Sequence, residues 1–226
     1  MSKQRVVILG STGSIGRNSL EVLAGMTDRF EVVGLASGSR WELLAQQAAS
    51  WRPTGVAVTD QDAADALVRA VDDSITVHRG PGAMVELIEA ADFDCVIVGV
   101  AGAVALPATI HAVERGKRVA LANKESFVIA GSLLASLARE TGAQVLPVDS
   151  EHSGVFQALH AGRACDVRRV VLTASGGPFR TWPAERIARA TLDDALQHPT
   201  WNMGPKITID SATMMNKALE IVEARW

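Results

Sequence analysis

An α/β fold, consisting of a Rossmann-like doubly wound parallel sheet followed by an α+β domain, is predicted by three features of the sequence. Short β-rich runs alternate with amphipathic helical patterns from Arg5 to Pro147, which is how a parallel sheet covered by helices on both faces reads. A glycine-rich turn follows the first of these runs directly. After Pro147 the alternation stops and longer irregular stretches take over.

The expected strands of the sheet are Val6–Leu9, Glu31–Ala36, Val56–Val58, Ile75–Val77, Cys95–Val98, Val119–Ala122 and Gln144–Leu146. Amphipathic segments lie between them, for example Leu43 and Leu44 with polar Gln46 and Gln47, and Val85, Leu87 and Ile88 beside Glu86 and Glu89. Beyond Pro147 the expected elements are a helical stretch at Val155–His160, a strand at Val167–Thr173, a region with few regular signals from Ser175 to Pro205, a strand at Lys206–Asp210, and a helix from near Ser211. That last helix meets no Gly, Asn or Pro stop signal before Trp226. The irregular region carries Trp182, His198, Trp201 and Met203, and a stretch of that length inside a compact domain is most often a lid. The expected division is therefore 1–148 for the sheet domain and 149–226 for the second domain, with a lid loop at about 176–204.

Composition removes several classes of function. Twenty-two basic against 25 acidic side chains leave a formal charge of -3, so no electrostatic surplus exists to hold a nucleic-acid backbone or an anionic membrane. No apolar stretch reaches membrane-spanning length, and residues 1–10 lack the sections of a signal peptide. Cys95 and Cys165 show neither metal-ligand nor redox-motif spacing. A cytoplasmic protein is expected from this usage.

Gly10-Ser11-Thr12-Gly13-Ser14-Ile15-Gly16 stands between the first strand and a helix, the setting in which backbone N–H groups approach a pyrophosphate. Its glycines recur at every third position, which departs from the standard dinucleotide fingerprint. A ligand-free strand-to-helix turn is the alternative. The second strand ends in Ala36-Ser37-Gly38-Ser39-Arg40, where NAD enzymes place an acidic side chain. An arginine beside small hydroxyl residues attracts a 2′-phosphate instead, so NADP is the expected cofactor class unless Arg40 is simply a solvated helix residue.

Asn123-Lys124-Glu125-Ser126 follows a buried strand, at the carboxyl edge where open α/β sheets bind ligands. Asp149-Ser150-Glu151-His152 follows the last strand of the repeat in the same way. On an extended segment Asp149 and Glu151 point to one side, and paired carboxylates suit Mg2+ or Mn2+ better than zinc. A solvated acidic turn capping the next helix is the plainer alternative. On the final helix Asn216, Lys217 and Glu220 share one face, opposite an apolar set of Met215, Leu219 and Val222.

Together with Ala174–Arg180, His198–Gly204 and Lys206–Glu220, these segments resemble the 1-deoxy-D-xylulose 5-phosphate reductoisomerase family over nearly the whole chain and in the family's order. The runs Asp149–His152 and Asp210–Lys217 are the most specific of them. The resemblance implies that Asp149, Glu151 and Glu220 bind one divalent cation, Mg2+ or Mn2+ with Co2+ a further option, which chelates the keto and hydroxyl oxygens of the substrate. It implies that Ser175, Ser211, Asn216 and Lys217 grip the substrate phosphate, while Ser150, Lys124 and His198 contact the sugar portion. By the same resemblance Glu151 and Glu220 would also face the substrate, and Lys124, His198 and the three carboxylates would form the catalytic set. NADPH would touch Thr12, Gly13, Ser14, Ile15, Gly38, Ser39, Arg40, Asn123, Glu125 and Gly204, with Arg40 at the 2′-phosphate.

The activity so implied is rearrangement of 1-deoxy-D-xylulose 5-phosphate followed by hydride delivery from NADPH. It yields 2-C-methyl-D-erythritol 4-phosphate on the non-mevalonate isoprenoid route, in a homodimer that acts on a small sugar phosphate. The loop bearing His198, Trp201 and Met203 would close over the substrate. Members of the family continue well past residue 226, so the chain is expected to be a truncated portion, and whether it is active as given is left open. Two other readings compete. An NADP-dependent dehydrogenase of another phosphorylated carbonyl compound would not need clustered carboxylates, and a non-catalytic NADPH-sensing module would leave Asp149, Glu151, Lys217 and Glu220 without a purpose.

Overall fold

The computed structural model describes residues 2–226, which form two compact units divided between Asp149 and Ser150. The first unit holds seven strands: β1 (Gln4–Leu9), β2 (Phe30–Ser37), β3 (Gly55–Val58), β4 (Thr76–Arg79), β5 (Cys95–Val98), β6 (Arg118–Leu121) and β7 (Gln144–Pro147). They pair in the order β4-β3-β2-β1-β5-β6-β7, and every pairing is parallel. All seven lie where the alternation of apolar runs placed them.

β1 shows why the sheet is covered on both faces. Successive side chains of a strand point to opposite faces, and in β1 all of Val6 to Leu9 are buried. Val6 and Ile8 pack with Leu20 and Leu23 of α1 (Ser14–Ala24), Leu44 and Ala48 of α2 (Trp41–Trp51) and Leu67 of α3 (Gln61–Ala70). Val7 and Leu9 pack on the other side with Leu87 and Ile88 of α4 (Ala83–Ala90), Ala108 and Val113 of α5 (Leu106–Glu114) and Leu134 of α6 (Lys124–Thr141). Each fully buried aliphatic side chain contributes about 1.5–3 kcal/mol by leaving water, so the carboxyl ends of these strands are held by a stiff scaffold. α2 departs from its expected pattern. Leu44, Gln47 and Ala48 are its buried residues, so Gln47 turns inward although it reads as part of a polar face.

Since β1 lies between β2 and β5, the chain winds outward through β2 to β4 on one side and through β5 to β7 on the other. The loops leaving β1 and β5 diverge at this reversal, and open α/β sheets bind ligands in the crevice it creates.

The second unit contains α7 (Ser150–Leu159), α8 (Ala184–Ile187), α9 (Leu192–Leu196), α10 (Pro205–Ala212) and α11 (Met215–Glu223). Among its described residues there is no strand, so the strands expected at Val167–Thr173 and Lys206–Asp210 are not formed. Val167–Thr173 joins no ladder, and Val170 and Val171 are exposed. Its β-branched residues favour a pleated surface but do not create the neighbouring strand that a ladder needs.

Lys206–Asp210 is helical rather than a strand. Pro205 occupies the first turn of α10, where a missing N–H costs nothing. The Thr208 hydroxyl donates back to the Gly204 carbonyl at 2.9 Å, and Lys206 pairs with Asp210 four residues on. The alternation of Ile207, Thr208 and Ile209 imitates a strand over a span too short to separate the two periods. Met214, in the left-handed region at φ 61°, separates α10 from α11, so the single helix expected from near Ser211 is two. Helix α7 begins at Ser150, ahead of the expected Val155, which places Glu151 in a first helical turn and not on an extended segment. Among the described residues no helix is long and apolar enough to cross a membrane.

Candidate functional site

The turn after β1 is shaped by close backbone approaches. Gly10 has φ +85°, and a side chain there would come within 2.9 Å of the Gly99 backbone at the end of β5. A β-carbon on Gly16 would lie 2.3 Å from the Gly10 carbonyl oxygen, so α1 can start only with glycine at that position. The N–H groups of Gly10 and Ser11 both donate to the Ala36 carbonyl, at 2.9 and 2.8 Å, and tie the turn to β2. Thr12 Oγ1 and Ser37 Oγ share a buried hydrogen bond of 2.8 Å. Gly13 caps α1 without a side-chain hydrogen bond, and the first turn of α1 contains no acidic residue. The positive end of this helix, with its unpaired N–H groups at Ser14 and Ile15, is therefore suited to a ligand anion such as a pyrophosphate.

Gly38, Ser39 and Arg40 are exposed at the end of β2, and Arg40 occupies the N-cap of α2. Asn123 is buried at the N-cap of α6, where its Oδ1 accepts from the Ser126 N–H at 2.8 Å. Its Nδ2 donates to the Val100 and Gly102 carbonyls at 2.6 and 2.7 Å and to the Glu125 carboxylate at 3.2 Å. Asn123 thus fixes the loop after β5 to the end of β6. Lys124 and Asp149, both largely buried, form an ion pair at the carboxyl edge of the sheet.

In the second unit five of the expected residues meet. The Glu220 carboxylate is fully buried, at 0% exposure, and accepts from Asn216 Nδ2 at 2.7 Å and from the Lys217 ammonium. Lys217 also donates to Glu151 at 3.0 Å, and the Ser150 hydroxyl donates to the same carboxylate. Burial pushes the Glu151 carboxyl up, but the Ser150 hydroxyl and the Lys217 ammonium outweigh it and hold the group below its ordinary value. Burial likewise pulls Lys217 down, while its bonds to Glu220 and Glu151 raise it further, so it stays charged. Two carboxylates around one ammonium carry a net formal charge of -1 and offer hard oxygen donors, the set that Mg2+ or Mn2+ takes.

His152, named in the acidic motif but given no role by it, packs α7 against α11: its Nε2 lies 3.1 Å from the Glu220 carbonyl and 3.6 Å from the buried Glu223 carboxylate. The face of α11 turned inward is thus its polar one. Met215 and Val222, expected to form the apolar packing set, are exposed. Charged groups can be buried here because each finds an opposite charge or a donor.

Ser175, His198 and Ser211 form a second convergence. The backbone N–H groups of Thr200 and Trp201 donate to His198 Nδ1 at 3.2 and 2.9 Å, so the neutral ring carries its proton on Nε2 and donates to Ser175 Oγ at 3.1 Å. Ser175 Oγ also accepts from the Gly177 N–H and lies 3.3 Å from Ser211 Oγ. Gly177, at φ +64°, approaches so closely that a β-carbon would be 2.5 Å from the Ser211 carbonyl oxygen. The stretch from 176 to 204 is more regular than its composition indicates, since it holds α8, α9 and a capping box between Thr191 and Asp194. Arg186 stacks over Trp182 at 3.5 Å, Trp201 is exposed, and Gly204 is the N-cap of α10.

Comparison with known proteins supplies the context. The 1-deoxy-D-xylulose 5-phosphate reductoisomerase family matches residues 6–131, and the C-terminal domain of that family matches residues 145–226. The chain is 49% identical over 224 residues to the 1-deoxy-D-xylulose 5-phosphate reductoisomerase of Geobacter metallireducens, which covers 99% of the chain and 58% of that relative. It is 50% identical over 222 residues to the enzyme of the same name from Chlorobium phaeovibrioides, covering 97% of the chain and 58% of the relative. The chain therefore spans less than two thirds of the length of these curated relatives. Among solved structures, a DOX-P reductoisomerase in complex with NADPH, fosmidomycin and magnesium superposes with a TM-score of 0.90 at 36% identity, over 98% of this chain and 57% of the other. The reductoisomerase from Zymomonas mobilis in complex with NADPH superposes with a TM-score of 0.88 at 39% identity, over 99% and 57%.

Proposed function

The chain belongs to the 1-deoxy-D-xylulose 5-phosphate reductoisomerase family, and on that premise we propose that the protein converts 1-deoxy-D-xylulose 5-phosphate to 2-C-methyl-D-erythritol 4-phosphate, using NADPH and a divalent cation. The observation that carries this proposal is the buried Glu220 carboxylate, which shares the Lys217 ammonium with Glu151. Burying a carboxylate costs several kcal/mol unless it is compensated, so a fold that keeps two of them in one place has a use for a cation there. Solved relatives bound to NADPH and magnesium support the same assignment.

Glu151 and Glu220 would hold the cation, with Asp149, two residues ahead of Glu151 in the chain, as the third ligand. When bound, the cation supplies Lewis-acid polarisation of the substrate's keto and hydroxyl oxygens, and NADPH supplies the reducing equivalent. The residues of the chain do the positioning. Lys217 and Asn216, both bonded to Glu220 in the carboxylate cluster, would serve as cationic and neutral donors for the substrate phosphate, together with the hydroxyls of Ser175 and Ser211. His198, fixed with its proton on Nε2, presents a donor beside Ser175 to the sugar portion, as would Ser150 and Lys124. The turn from Gly10 to Gly16 takes the pyrophosphate through the N–H groups of α1. Arg40 takes the 2′-phosphate, while Gly38, Ser39, Asn123, Glu125 and Gly204 complete the cofactor contacts. The segment 176–204 serves as the lid that excludes water, and the working form is a cytoplasmic homodimer.

Loss of NADPH absorbance in the presence of 1-deoxy-D-xylulose 5-phosphate and Mn2+ tests this directly, on this chain and on a full-length relative of the family. In Asp149→Asn, Glu151→Gln and Glu220→Gln, turnover should fall and the apparent Mn2+ constant should rise, with partial recovery at excess Mn2+. Mn2+ binding as tight as wild type in all three would remove the metal assignment. Turnover without any divalent cation would remove the mechanism.

A further inference from the structure

We propose that Gln47 is a positioning residue for the cofactor, and that it fixes the spacing between the glycine-rich turn and Arg40, so that both anionic ends of NADPH can be held at once. The inference rests on the proposed assignment of NADPH to the first unit and names a residue outside the set that touches it. Gln47 sits in the middle of α2, and only 8% of it is exposed. Its amide is used at both ends on a single residue of the turn: Nε2 donates to the Ser11 carbonyl at 2.9 Å, and Oε1 accepts from Ser11 Oγ at 2.7 Å. Ser11 itself has no exposed surface.

A buried glutamine on the sheet-facing side of a helix is costly unless its amide is satisfied. An apolar residue would fill the place between Leu44 and Ala48 as the pattern of the helix calls for. What the amide adds is register. A two-point contact between one amide and the carbonyl and hydroxyl of a single residue restricts both distance and rotation, and α2 is thereby tied to the turn from Gly10 to Gly16. The N-terminal end of that same helix is Arg40. The turn and the guanidinium are consequently parts of one assembly, braced again by the bond between Thr12 and Ser37, which joins the turn to the last residue of β2.

This geometry predicts an effect on cofactor choice beyond an effect on stability. NADH engages the turn alone and can follow it if it shifts relative to α2. NADPH must engage the turn and Arg40 together, so a loosened spacing penalises it more. Gln47→Met keeps the length and volume of the side chain and removes both hydrogen bonds. Dissociation constants for NADPH and NADH, measured by quenching of protein fluorescence on the whole chain, should show NADPH weakened about tenfold, the equivalent of one lost hydrogen bond of about 1.4 kcal/mol, with the NADPH-to-NADH preference narrowed. Leu67→Ala is the control: it lies fully buried on α3 in the same core, and it should lower thermal stability without narrowing the preference. Wild-type protein that binds no NADPH would refute the cofactor assignment itself. Wild-type binding with Gln47→Met unchanged, or with both nucleotides weakened equally, would overturn the role of Gln47 while leaving that assignment standing. A preference narrowed as much by Leu67→Ala would overturn it as well.

Discussion

Charge pairing inside the second unit should be measurable without any ligand. Glu220 is at 0% exposure and the side chain of Lys217 at 13%, so both charges of the pair are removed from water. Breaking a buried pair by removing one partner costs about 3–5 kcal/mol, because the other charge is stranded. Lys217→Met strands the Glu220 carboxylate with Asn216 as its donor, and should cost about 3–4 kcal/mol. Glu220→Gln is milder, since Lys217 keeps Glu151 at 3.0 Å, and about 2–3 kcal/mol is expected. The double variant removes both charges together and should cost about 3–4 kcal/mol, well short of the roughly 6 kcal/mol obtained by adding the single effects, which leaves a coupling of about 2–3 kcal/mol. Urea unfolding of chelator-treated protein, followed by tryptophan fluorescence, reads this cycle, because Trp182, Trp201 and Trp226 lie in the second unit. Additivity within about 0.5 kcal/mol would show that the two side chains are not an ion pair in solution, and would refute the electrostatic account of the cluster.

Two further predictions concern the first unit. Arg40→Asp should weaken NADPH far more than NADH, by placing a negative charge against the 2′-phosphate, and equal losses in a titration of both nucleotides would remove Arg40 from that subsite. The Asp94 carboxylate accepts from the Arg5 side chain at 3.0 and 3.2 Å and from its backbone N–H at 2.8 Å, and the Arg5 guanidinium holds it below the ordinary aspartate range. A carboxyl depressed in the folded state contributes stability above its unfolded value of about 3.9 and loses it as pH falls through the folded value. The pair is partly solvated, with 39% of the Asp94 side chain exposed, so Asp94→Asn should cost less than about 1 kcal/mol near neutral pH. That difference should shrink as pH falls below the ordinary aspartate range and vanish below the depressed folded value; a gap that persists below the folded value would contradict the linkage.

The sheet and its glycine turn were legible because the signals that specify them are local. Four consecutive buried residues in β1, a turn that only glycine can make at Gly10 and Gly16, and strand ends that carry Asn123 and Asp149 are all written within a few residues of one another. Gln47 was not legible. Beside Gln46 it reads as part of a polar face, and nothing in the local pattern distinguishes a solvated glutamine from one whose amide is bonded to Ser11, 36 residues away. The partner becomes visible only when β1 and α2 are brought together.

The second unit was misread for a related reason, and its inversion of polarity is the feature that makes a site possible there. Periodicity on α11 correctly groups Asn216, Lys217 and Glu220 on one face. It also predicts that such a face looks outward, because apolar residues ordinarily take the inner side. Here Glu220 and Glu223 are buried while Met215, Ile221 and Val222 are exposed. The inward charges are tolerable because α7 supplies their partners: Glu151 for Lys217, and His152 against both the Glu220 carbonyl and the Glu223 carboxylate. Those partners lie more than 60 residues away in sequence, beyond the reach of any helical repeat. The same is true of Ser175, which meets His198 and Ser211 across 23 and 36 residues. A helix built only for stability would put its apolar face inward. One whose buried face carries two carboxylates, an ammonium and an amide holds charge inside instead, and the cation and phosphorylated substrate of the proposed function are a ligand pair that suits such a face.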